Sequence, residues 1–66
     1  MLTEHTFAGR DVLVERGDDQ AALETARHIL SQWRTVAEVR LYERRGAPLF
    51  ARVTRDGVYY PGAPAR

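Results

Sequence analysis

Sixty-six residues, 44% of them hydrophobic and 29% charged, suffice for one small core and not for a second, so residues 1–66 read as a single small domain. There is no Cys, and all ten basic residues are Arg, which removes disulfides, thiolate metal sites, thiol catalysis and Schiff-base chemistry on Lys. The net charge of +1 hides an asymmetry: residues 1–33 set three Arg against six carboxylates (−3), and residues 34–55 set six Arg against Glu38 and Glu43 (+4).

In chain order, "DVLVE" (residues 11–15) alternates as a short strand with Val12 and Val14 on one face. Gly9-Arg10 ahead of it fits a Gly-X hairpin loop that would pair "HTFA" with it. Residues 1–9 are expected to hold a frayed first strand. Gly17-Asp18-Asp19 breaks the strand and supplies an N-cap carboxylate, placing negative charge at the positive end of a helix.

From Asp19 to about Trp33, the residues Ala22, Leu23, Ala26, Ile29, Leu30 and Trp33 recur at spacings of three and four, forming one apolar stripe. Glu24, Arg27, His28 and Ser31 lie opposite. "TVAEVRLYERR" (residues 35–45) mimics a capping box at Thr35 and Glu38, but the period of two in Ala37, Val39 and Leu41 favours a strand. Gly46-Ala47-Pro48 is a turn, Leu49 to Arg55 alternates again, and Asp56-Gly57 is a hairpin signal leading into "VYY". Pro61, Gly62 and Pro64 end regular structure, making 61–66 an irregular tail. The fold class is α+β: one amphipathic helix packed on one face of a small antiparallel sheet, in the order (β)βαβββ.

A hairpin closed at Asp56-Gly57 sets Arg55 across from Val58, Thr54 from Tyr59 and Val53 from Tyr60, and residues opposite one another share a face. One face then carries Ala37, Val39, Leu41, Leu49, Ala51, Val53, Val58 and Tyr60, and accepts the helix. The other carries Glu38, Arg40, Tyr42, Arg44, Phe50, Arg52, Thr54 and Tyr59. A single helix covers one side of a sheet, so the second face meets water or a partner. Its interleaved Arg and aromatic residues are the types that binding hot spots favour. Arg40, Tyr42, Arg44, Phe50, Arg52 and Tyr59 are therefore the expected contact residues.

Other chemistry is weak. Glu24, His28 and Ser31 share a helix row, but on the solvated side, where neither a cleft nor an oxyanion hole is expected. His5 and His28 lack further ligands for a metal, and Asp18-Asp19 is explained by capping. The glycines fall at breaks, with no phosphate-cradling spacing. No enzyme activity, metal, cofactor or small-molecule substrate is expected. With no apolar run near 18 residues and no leader pattern, the expected location is the cytoplasm. The expected partner is another protein or a second copy of the chain. The alternative is single-stranded RNA, with bases on Tyr42, Phe50 and Tyr59 and phosphates on Arg40, Arg44 and Arg52.

"ARHILS" (residues 26–31), "EVRLYERRG" (residues 38–46) and "ARVTRDGVYY" (residues 51–60) resemble, in their order of helix, strand, hairpin and Asp-Gly turn, the very small phage-encoded anti-CRISPR inhibitors of type I systems. The resemblance spans roughly residues 20–60. It implies a non-enzymatic inhibitor that occupies a surface of an RNA-guided complex, and it assigns no individual residue. Other phage or mobile-element accessory proteins share the same size and lack of catalytic residues.

Overall fold

The computed structural model describes residues 1–61. Its elements are β1 (Leu2–Phe7), β2 (Arg10–Glu15), α1 (Asp19–Gln32), β3 (Glu38–Tyr42), β4 (Leu49–Thr54) and β5 (Gly57–Tyr59). The strands form one antiparallel sheet in the order β2-β1-β3-β4-β5, with α1 packed on one side. Of the expected tail, 62–66 lies outside the described residues.

The first strand of the expected order is present, and β1 is paired along both edges, to β2 and to β3. Its sequence, LTEHTF, concealed this. The positions turned toward the helix are Thr3 and His5, which are polar yet buried. Thr3 is accommodated by donating its hydroxyl proton to the Val14 carbonyl at 3.3 Å. The hairpin to β2 turns at Ala8-Gly9, one residue earlier than expected, with φ of 53° and 77°. Two successive positive φ values suit the twist of a tight hairpin, and Ala8 adopts one without glycine's freedom.

The helix begins as its sequence dictates. The Asp18 carboxylate accepts the Ala21 N–H at 2.8 Å, satisfying a free first-turn donor. Ala22, Ala26, Ile29 and Leu30 are buried against Val36, Val39, Leu41, Ala51 and Val53. The stripe stops short of Trp33, which caps the helix in an extended conformation and sets its ring edge-on to Phe7, centroids 5.9 Å apart.

No basic residue sits in the last helical turn. Arg55 reaches in from the β4–β5 turn instead, donating to the carbonyls of Leu30 (2.7 Å), Trp33 (2.9 Å) and Val36 (2.7 Å). A guanidinium at a helix C-terminus satisfies carbonyls left without partners and meets the negative end of the dipole. It also pins Val36, which is buried where Ala37 was expected; Ala37 is exposed and β3 starts only at Glu38.

Two register details set the faces. Between β3 and β4, Leu41 pairs with Ala51 but Tyr42 with Leu49, a bulge at Phe50. The extra residue exchanges the expected sides: Leu49 shares the face of Tyr42, while Phe50 packs against the core. Between β4 and β5, Arg52 pairs with Tyr59 and Val53 with Val58, two residues from the expected register. A shift of two preserves the alternation, so Tyr59 stays on the open face. Tyr60, expected inside, lies beyond β5, 47% exposed and edge-on to Phe50.

Candidate functional site

The side of the sheet away from α1 is organised in rows across the strands. One row runs through all five: Leu13, Glu4, Arg40, Arg52 and Tyr59. It spans about 19 Å at the usual strand spacing. A flanking row holds Glu15, Leu2, Tyr42 and Leu49, and on the other flank Asp11 opposes Thr6 and Glu38 opposes Thr54.

Arg40 is the centre of this face. Its Nε donates to Glu4 Oε1 at 2.9 Å, Nη1 to Glu38 Oε2 at 3.2 Å, and Nη2 to Thr6 Oγ1 at 3.5 Å. Asp11 Oδ1 lies 4.0 Å from Nη2 and accepts the Thr6 hydroxyl proton at 2.7 Å. Burial works against the Arg40 charge, but the hydrogen bonds and charges of Glu4 and Glu38 outweigh it and hold its pKa above the ordinary guanidinium value. Tyr42 donates to Glu4 Oε1 at 3.4 Å. Its phenol is raised above its ordinary pKa, first by burial and then by the Glu4 charge beside it.

Arg52 is placed differently. Its only carboxylate neighbour among the described residues is Glu38, at 3.8 Å, and its guanidinium stands 5.5 Å from the centroid of the Tyr59 ring. Cation–π contact holds the pair together at the β5 end of the face while leaving both side chains about half exposed.

Of the six expected contact residues, the open face brings together Arg40, Tyr42, Arg52 and Tyr59. Arg44 is not among them: β3 ends at Tyr42, and Arg44 lies in the following loop, beside a groove with Pro48, Leu49 and Tyr60. Phe50 is turned to the helix side by the bulge. Sequence reasoning missed Glu4, Asp11, Leu13 and Leu49. The first three come from the β1–β2 hairpin, where Asp11, Leu13 and Glu15 alternate against Val12 and Val14. That alternation was the available signal, but it gained meaning only once β1 was known to join β2 to β3.

The row Glu24, His28 and Ser31 is exposed, and the Ser31 hydroxyl donates to the His28 carbonyl rather than to an imidazole. Among the described residues, no three His, Asp or Glu lie close enough to share a metal ion, and no helix is long and apolar enough to cross a membrane. No protein-family model, curated protein or solved structure matches the chain.

Proposed function

We infer that the chain is a non-catalytic binding module that docks on another protein, or on a second copy of itself, through the open sheet face. Arg52, Tyr59 and Leu49 form the contact, and the Arg40 network holds the face rigid beneath it. The observation that carries this reading is the face's charge: Glu4, Asp11, Glu15 and Glu38 stand against Arg40 and Arg52, with Arg45 at the rim beside Leu2, Glu4, Leu13 and Tyr42. A flat surface of mixed sign with an Arg and a Tyr half exposed suits a protein interface.

The same charge count weighs against single-stranded RNA. Arg40 is already committed to carboxylates, and Phe50 does not share the face with Tyr42 and Tyr59, so the expected stacking platform is incomplete. The narrower form of the reading is a small inhibitor or accessory protein from a phage or mobile element, as the resemblance to anti-CRISPR inhibitors implies.

The test pairs affinity capture from host lysate, with and without nuclease, with the double variant Arg52→Ala/Tyr59→Ala. Capture that survives nuclease and falls by at least about 30-fold in affinity in the double variant, with thermal unfolding nearly unchanged, is the expected result. Capture that vanishes with nuclease and weakens steeply with salt would favour RNA instead. A purified type I surveillance complex is the direct partner for the narrower form.

A further inference from the structure

On the opposite side of the molecule, α1 does not reach across β2, and a cleft of about 380 Å³ opens between the first hairpin and the helix. His5, Phe7, Val12, Val14, Ile29 and Trp33 line it. His5 is only 7% exposed, and its Nδ1 is buried with no hydrogen-bond partner; the ring makes no other hydrogen bond among the described residues. An unpaired buried polar group is costly, so a buried imidazole is ordinarily hydrogen-bonded. That imidazole lines the cleft.

We propose that this cleft is a binding site for a small neutral aromatic molecule bearing a hydroxyl group, with the ring held between Phe7, Ile29 and Trp33 and the hydroxyl on His5. The volume falls in the range of small-molecule sites, and a mainly apolar wall with a few polar groups, here His5, Thr25, His28 and Arg16, is their usual composition. A hydroxyl both donates and accepts, so it meets the imidazole in either tautomer. Among the described residues no Asp or Glu lines the cleft, whereas Arg16 does, with Nε donating to Thr25 at 2.7 Å, so a cationic ligand finds no counter-charge. The site uses none of the residues assigned to the open face, and its success or failure is independent of that reading.

Trp33 is the only Trp in the chain, so its emission reports on the cleft directly. The probes are p-cresol and toluene, which share a shape and differ by the hydroxyl, titrated into the whole chain with excitation at the red edge of Trp absorption. The expected result is saturable quenching or shift of Trp33 emission by both, with p-cresol binding about tenfold tighter, the scale of one hydrogen bond. In His5→Phe that preference should disappear while toluene still binds. Should that variant fail to fold, the wild type supplies the second reading: p-cresol shifts the His5 imidazole NMR resonances and toluene leaves them nearly in place. Equal affinities for the two probes, or unchanged Trp33 emission up to the solubility of both, overturns the proposal.

Discussion

Arg40 and Arg52 face one another across β3 and β4, identical residues on the same open surface, and they do opposite work. Arg40, 25% exposed on its side chain, is ringed by Glu4, Glu38, Asp11 and Thr6; Arg52, 49% exposed, has one distant carboxylate and an aromatic ring. The difference arises from the strands beside them. Arg40 sits next to β1, whose Glu4 is directly opposite, whereas Arg52 sits next to the short β5, which offers Tyr59. A guanidinium enclosed by carboxylates becomes a structural tie, and one left over a ring remains available to a partner.

Breaking the first half of that comparison should give the largest effect on stability. Arg40→Ala leaves Glu4 and Asp11 without their cation and Glu38 with only the more distant Arg52, and after allowing for partial exposure should cost about 2 kcal/mol, read by urea unfolding. Arg55→Met removes the donor that ties the helix end to the β4–β5 turn, and should cost about 1–2 kcal/mol. Arg55→Lys, lacking the planar fork, should recover only part of it.

The Tyr42 phenol sharpens the comparison through pH. Its folded pKa is raised above 10.0, so its stabilising contribution is complete below about pH 10 and is lost as pH rises through the folded value. Stability of the wild type should therefore fall in that alkaline window, and Tyr42→Phe should flatten the fall; an unchanged profile would remove Tyr42 from the network. Ala8→Asn, at a positive φ in the exposed first turn, should stabilise by about 0.5 kcal/mol. Smallest of all, Arg52→Ala should shift unfolding by no more than about 0.5 kcal/mol. A loss comparable to that of Arg40→Ala would show the two arginines to be equivalent supports.

The charge split along the chain shows how far linear reading carries. Six Arg against two Glu made residues 34–55 look like a basic surface. In the fold, Arg55 caps the helix, Arg44 and Arg45 lie in the loop after β3, and Arg34 lies in the turn after α1. Among the described residues, Arg40 and Arg52 lie on the open face and Arg45 at its rim, where Glu4, Asp11, Glu15 and Glu38 outnumber them. That pairing of distant segments was invisible, because the helix-facing side of β1 is Thr3, His5 and Phe7, and its buried members Thr3 and His5 give no hydrophobic alternation.

The sequence alone determined the local elements: the Asp18 cap, the apolar stripe of α1, the period of two in Val39 and Leu41, and a turn before "VYY". Each is set by contacts within a few residues, through capping geometry, helical spacing or turn propensity. Tertiary structure alone decided that β1 lies inside the sheet, that the bulge at Phe50 sends that ring inward and Leu49 outward, and that Arg55 closes the helix. These depend on which distant strands meet and in what register, and a displacement of one residue changes the face of every side chain beyond it.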